Sequence, residues 1–173
     1  MPHLRTATRA DVRRLRALEE AAETMLVERL GSLPWSSTPG EWRTREPGFV
    51  VVSAAAADGE AVGFAHVLEV ARWAHLEQLA VHPDQQGGGH GRALVEAAKD
   101  EAARRGHRAL SLTAYAEVPW QAPFYATCGF VETEPVAPFH RRLLQVEREM
   151  GLGRLGRRLL MVASLTPRRV TSE

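Results

Sequence analysis

The sequence predicts one α/β domain, with strands and helices mixed around a single sheet. Three observations predict it. Apolar residues recur at helical spacing after Asp11 and again after Gly91, alternating apolar runs flank the turn signal Asp58-Gly59, and a glycine cluster at 87–91 separates a strand pattern from a helix pattern.

A chain of 173 residues buries one sizeable core and leaves little length for a second catalytic domain. The domain is expected over 1–166, with 167–173 a frayed tail. Hydrophobic residues at 45% and charged residues at 25% place the chain with soluble globular proteins. The formal net charge of +1, with Lys99 the only lysine, gives no general electrostatic reason to bind nucleic acid. The arginines at 154, 157, 158, 168 and 169 read as a solvated basic face. Cys128, alone, makes no intramolecular disulfide. No apolar run approaches the roughly 18 residues of a membrane span, and the N-terminus lacks a signal pattern. The expected location is the cytoplasm, with no membrane partner.

The elements follow in order. His3 to Ala7 is a short strand, and Thr8 to Asp11 resembles a helix-starting box. Val12, Leu15, Leu18, Ala22, Met25 and Leu26 form a helical stripe that ends at Gly31. Residues 32–47, with Trp35 and Trp42, read as an irregular, substrate-side connection or a plain surface loop. Phe49 to Val52 and Val62 to Leu68 form a hairpin, and Ala74 to Val81 adds a strand that stops before Pro83. Gly91 to Arg105 is a helix with Gly106 past its end. A strand at Arg108 to Ala114, a short helix within Pro119 to Cys128, a strand at Phe130 to Thr133, a helix at Phe139 to Met150 and a closing strand at Arg157 to Ser164 complete the order.

A strand, a glycine turn and a helix place backbone amides and the positive end of a helix dipole around one small volume suited to phosphate. Gly87, Gly88, Gly89 and Gly91 clear side chains from it, and Arg92 adds charge at the rim. The turn lacks the Gly-Lys-Ser/Thr end of a P-loop. It also fails the dinucleotide fingerprint, whose third glycine position is Arg92.

Gln86-Gly87-Gly88-Gly89-His90-Gly91 matches the Gln/Arg-x-x-Gly-x-Gly/Ala signature of the GNAT N-acetyltransferase superfamily. The strand His75 to Pro83 before it is similar to that family's pattern, and Pro123 to Phe130 resembles its Phe-Tyr-x-x-x-Gly-Phe segment. The resemblance implies a mixed, mostly antiparallel central sheet flanked by helices and splayed at the strand ending near Val81. It implies transfer of an acetyl group from acetyl-CoA to a primary amine, directly and in a ternary complex. It further implies that the backbone of Leu79 and Val81, with Ala80 between them, pairs with the pantetheine arm. The amides across Gln86, Gly87, Gly88, Gly89, His90, Gly91 and Arg92 would receive the pyrophosphate. Many relatives carry Asn where this chain has Val118, and Gln121 is a candidate to supply an amide in its place.

Transfer to an amine needs a base for the ammonium, a polarised carbonyl and a protonated leaving thiol. Strict alternation puts His75, Glu77, Leu79 and Val81 on one face of their strand, which makes Glu77 the first choice of base and His75 the reserve. By the same resemblance Tyr125 is the first choice to protonate the thiolate, with Tyr115 a weaker alternative. The amide of Leu79 is placed to polarise the carbonyl. Cys128 reads as a packing residue. The seven histidines show no paired zinc-ligand spacing, so no metal is expected. The expected partner is a small-molecule or peptide amine, and a homodimer stays open. A larger acyl-CoA donor and a noncatalytic CoA-binding module are the alternatives, with a nucleotide-binding regulator a distant fourth.

Overall fold

The computed structural model describes residues 1–32, 47–57 and 59–166. The expectations for Trp35 and Trp42, for Asp58 within its turn, and for the tail after Pro167 lie outside the described residues.

Seven strands form one sheet: β1 (His3–Thr6), β2 (Gly48–Ala54), β3 (Ala61–Val70), β4 (Trp73–Val81), β5 (Ala109–Tyr115), β6 (Val131–Glu132) and β7 (Arg158–Ser164). Their order across the sheet is β1-β2-β3-β4-β5-β7-β6, antiparallel throughout except where β4 meets β5. The helices are α1 (Val12–Leu30), α2 (His90–Arg104), α3 (Ala122–Thr127) and α4 (Pro138–Glu149).

Sequence chemistry explains the joints. Thr8 and Asp11 form the reciprocal box ahead of α1, the Thr8 amide donating to Asp11 Oδ2 at 2.7 Å. The same carboxylate receives the Arg5 guanidinium at 2.8 and 2.7 Å, and that pairing holds it well below the usual carboxylate range. Gly31 at φ +90° ends α1.

The sheet is covered on both faces. Leu94, Val95, Ala98 and Ala102 of α2 pack with Val67, Leu76, Leu110 and Leu112 on one side, joined there by Tyr125 and Cys128. On the other, Leu15 and Leu18 of α1 meet Val52, Phe64 and Ala80. At roughly 1.5–3 kcal/mol per fully buried aliphatic side chain, these two layers supply the main stabilising term. The helical stripe of α1 divides. Leu15 and Leu18 enter the core, while Ala22, Met25 and Leu26 line a cleft, and Val12 is exposed.

Two irregularities in β4 shape that cleft. Pairing with β5 is confined to Ala74↔Leu110 and His75↔Ser111, after which the strands part. Opposite β3 the register steps from Val67↔Leu76 to His66↔Gln78, so Glu77 is the extra residue of a β-bulge.

Candidate active site

The bulge corrects the expectation that His75, Glu77, Leu79 and Val81 share a face. One inserted residue reverses the phase of the alternation. Ala74 and Leu76 before it, and Leu79 and Val81 after it, all meet the α2 side, whereas Ala80 packs with the α1 cluster. His75 therefore faces away from Leu79. The methyl of Ala80 is buried in the core, which leaves its backbone to serve the cleft.

Three adjoining hollows make one cleft along the fork between β4 and β5. A hollow of about 380 Å³ runs beside Leu79, Val81, Trp120 and Phe124 to the glycine turn. A hollow of about 400 Å³ at the other end is bounded by Glu77, Thr113, Tyr115, Glu147 and Arg158. Between them lies a narrower hollow of about 180 Å³, walled by α1. Leu79 lines all three, and Tyr125 lines the middle and the acidic end.

At the glycine end, Gly87 at φ +80° and Gly89 at φ +82° adopt the left-handed conformation, and Gly89 caps the start of α2. The first amides of a helix have no partner within it, so a helix of 15 residues starting here aims unpaired donors and a positive dipole end into the hollow. His90 contributes only its amide. Its imidazole is buried, with Nδ1 2.8 Å from Ser53 Oγ, and anchors α2 to β2. Arg92 straps α2 to α3 through Thr127, at 3.0 Å to its carbonyl and 2.9 Å to its hydroxyl, keeping its charge at the rim. Gln86 reaches across the cleft to Met25 Sδ at 3.2 Å. Amide donors, a dipole end and a splayed strand edge fit a pantetheine arm and its pyrophosphate; Leu79 and Val81 would hold the arm, and the amides of Gly87, Gly89, His90, Gly91 and Arg92 the pyrophosphate, whereas those of Gln86 and Gly88 already donate to the Pro83 and Gln85 carbonyls at 3.2 and 3.4 Å.

Glu77 lies at the opposite end, its side chain one-third exposed. His75 does not serve as the reserve base. It is fully buried, and desolvation pushes its pKa down to about 3, too low for its imidazole to hold a proton taken from an ammonium. Burial raises the Tyr125 phenol well above its usual range, and its ring packs against Phe124 and Phe130. Tyr115 is spoken for, donating through its hydroxyl to the Leu152 carbonyl at 3.2 Å. Gln121 Oε1 accepts from the Tyr115 amide at 2.8 Å while the residue lines the cleft, and Val118 is buried. Cys128 is buried in the core, as a packing residue.

Sequence reasoning missed Glu19, Thr113, Glu147 and Arg158. Arg158 is not on a solvated face: its side chain is 16% exposed, and it bonds Glu147 at 3.0 and 2.8 Å and Thr113 Oγ1 at 2.9 Å. Thr113 itself donates to Glu147 Oε1 at 2.6 Å. Two signals were present in the sequence. Glu19 sits four residues after Leu15 on the buried stripe of α1, and Glu147 falls seven after His140 on one face of α4. Trp120 borders the glycine hollow and the middle of the cleft, while Trp73 packs edge-on against His140 with ring centroids 4.3 Å apart.

Among the described residues, no group of three His, Cys, Asp or Glu is placed to hold a metal, and no helix is long and apolar enough to cross a membrane.

A mostly antiparallel sheet forked at β4, with an amide-lined turn at one end of the fork and carboxylates at the other, defines an acyl-transfer class of protein. The family model described as the acetyltransferase (GNAT) family matches residues 14–130. The chain is 35% identical over 154 residues to an aminoglycoside N(6')-acetyltransferase type 1 from Stenotrophomonas maltophilia, covering 82% of this chain and 94% of that protein. The fold is shared with many solved structures, two of which serve as examples. One is the ribosomal-protein-S18-alanine N-acetyltransferase from Escherichia coli, at TM-score 0.63 and 23% identity, covering 100% of this chain and 99% of that one. The other is the PaiA N-acetyltransferase from Thermoplasma acidophilum in complex with coenzyme A, at TM-score 0.66 and 13% identity, covering 95% and 99%. This chain belongs to the GNAT family and is an N-acetyltransferase.

Proposed function

We propose that the protein transfers an acetyl group from acetyl-CoA to a primary amine of a multiply charged cation of the aminoglycoside class, directly and in a ternary complex. The observation that carries the acceptor class is the commitment of Arg158. It is the cation among the described residues of the acidic hollow, and Glu147 and Thr113 occupy its guanidinium. Among the described residues of this hollow, an acceptor carboxylate thus finds no uncommitted guanidinium fork to pair with. Around it, Glu19, Glu77 and Glu147 border this hollow, and Glu23 borders the next, so the cleft presents negative charge to an incoming amine. The relative from S. maltophilia is named for aminoglycosides, which carry several amines.

Acetyl-CoA supplies the activated acetyl carbonyl and the sulfur leaving group. The chain's residues do the rest. Glu77 accepts the ammonium proton, directly or through a water, so that the amine attacks as a neutral nucleophile. The Leu79 amide, on the strand edge that β5 leaves, donates to the carbonyl oxygen as charge develops there. Tyr125 holds its proton at Oη across the working range, because burial raises its pKa. Full transfer from so weak an acid to a thiolate, whose parent thiol has a pKa near about 8.5, runs uphill. Its role is therefore hydrogen-bond donation to the departing sulfur, with solvent completing the protonation.

Thiol release from acetyl-CoA, measured across a panel of acceptors, tests this reading. Turnover is expected with aminoglycosides bearing a primary 6'-amine. Turnover with amino acids or neutral amines in preference to these would overturn the acceptor class. Tight CoA binding without turnover on any acceptor would favour a noncatalytic module.

A further inference from the structure

The last rung of the β4–β5 ladder, His75↔Ser111, carries a buried chain of polar side chains that the transfer reaction does not itself require. His75 Nδ1 lies 2.9 Å from Ser111 Oγ, and His140 Nε2 of α4 lies 3.0 Å from the same oxygen. All three residues are buried, and Phe139 and Trp73 pack edge-on against the two imidazoles. The other nitrogen of His75, Nε2, sits 3.8 Å from Glu77 Oε2, too long for a hydrogen bond and close enough for its dipole to act on the carboxylate.

Ser111 has one proton to give, to His75 Nδ1, to His140 Nε2 or, at 3.4 Å, to the Ala74 carbonyl, and its choice couples the two tautomers. If His140 donates through Nε2–H to Ser111 Oγ, and Ser111 donates to His75 Nδ1, then His75 must carry its proton on Nε2, pointed at Glu77. When Ser111 donates instead to His140 or to the Ala74 carbonyl, His75 is protonated on Nδ1, and its Nε2 lone pair faces the carboxylate and repels it. With Glu77 ionised, the first arrangement wins.

We propose that Ser111 and His140 fix His75 in its Nε2–H tautomer, making His75 a positioning residue that orients Glu77 and favours its ionised form. This rests on the reading of Glu77 as the base. Among the described residues, the other titratable groups around the pair are Glu19 on α1, His66 on β3 opposite Gln78, Tyr115 on β5, Tyr125 on α3, Glu147 on α4 and Arg158 on β7. Each remains in place when Ser111 alone is changed, so the effect of that change isolates the tautomer.

The test compares Ser111→Ala, His75→Leu and His75→Gln with the unmodified enzyme and Glu77→Gln, using kcat/KM against pH, acetyl-CoA affinity and Tm. Ser111→Ala releases the tautomer, so the acidic limb of the profile moves up by about half to one pH unit, since an N–H dipole pointed at a carboxylate favours its charged form and lowers its pKa. Activity then falls several-fold at the acid end and stays close to the original at the alkaline end. His75→Leu moves the limb the same way. His75→Gln, which keeps an N–H donor toward Glu77, restores it. Nitrogen NMR of the imidazole is expected to show a protonated Nε2 and a bare Nδ1 in His75, and mixed tautomers in Ser111→Ala.

A purely structural fork pin would instead lower Tm and weaken acetyl-CoA binding with no movement of the limb, and that result overturns the proposal. So does a protonated Nδ1. The two readings fail separately. A Glu77→Gln enzyme that keeps the original limb removes Glu77 as base, whereas loss of the limb in Glu77→Gln together with an unmoved limb in Ser111→Ala removes only the positioning role.

Discussion

Between Gly87 and Arg92, a single turn and the helix start that follows it close one end of the cleft with backbone amides. The other end takes Glu19 from α1, Glu77 from β4, Thr113 from β5, Glu147 from α4 and Arg158 from β7. The first end is a local product of chain conformation: two left-handed glycines and a helix start suffice. The second exists only when distant elements meet and their side chains balance one another's charge. A backbone-built site tolerates side-chain change and is sensitive to φ; a side-chain site behaves the other way round. Substitutions at each end expose the contrast.

The largest effect is expected at Glu77. Glu77→Gln lowers kcat by about a hundredfold or more at neutral pH, the scale of a lost general base. The loss shrinks as pH rises and the free amine deprotonates unaided. Acetyl-CoA affinity, measured by calorimetry, stays within about twofold because the nest is untouched. A pH–rate profile identical to that of the unmodified enzyme would remove the role. Next comes Arg158→Met. It leaves the Glu147 carboxylate, whose side chain is 10% exposed, without its cation, and lowers stability by about 3 kcal/mol in urea denaturation. Adding Glu147→Gln should recover much of that loss. A loss no smaller in the double variant would mean that the charge balance does not hold the acceptor end.

This contrast also explains what the sequence made legible. The element order, the family and the nest could all be read because each depends on neighbours in the chain: Asp58-Gly59 between two strands, Gln86 to Arg92 between strand and helix, Phe124-Tyr125 before Gly129. The bulge at Glu77 could not be read, since nothing in His75 to Val81 departs from a plain strand; the extra residue exists only relative to the register of β3. Strict alternation therefore misplaced His75. Arg158 was assigned to a solvated face because sequence reports its charge and not the Glu147 that meets it eleven residues away in the chain.

A smaller effect tests the buried imidazole that alternation misplaced. His75 has a folded pKa lowered to about 3, against roughly 6.5 when unfolded. Between those values the unfolded chain binds a proton that the folded protein does not, so stability is complete above about pH 6.5 and declines as pH falls toward 3. The loss from this one group is about 2 kcal/mol by pH 5. Burial lowers the pKa of His140 in the same direction and leaves a residual slope. Denaturant titrations from pH 7 to pH 5 are expected to show a shallower decline for His75→Gln than for the unmodified protein. Equal declines would mean that His75 takes up its proton in the folded state.

The smallest effect is expected at the nest, where nothing but backbone conformation is at stake. A Cβ at Gly89 meets no atom within 4 Å, so a side chain there is sterically free, yet φ is +82°. A β-branched residue resists that conformation, at about 1–2 kcal/mol, while asparagine accepts it more readily. Gly89→Val relieves its strain by turning the amides at the start of α2 away from the ligand, and the Kd for acetyl-CoA rises about tenfold. Gly89→Asn changes it less, although asparagine is the more polar substitution. If valine and asparagine weakened binding equally, side-chain bulk and not φ would govern this end of the cleft, and the distinction between its two ends would collapse.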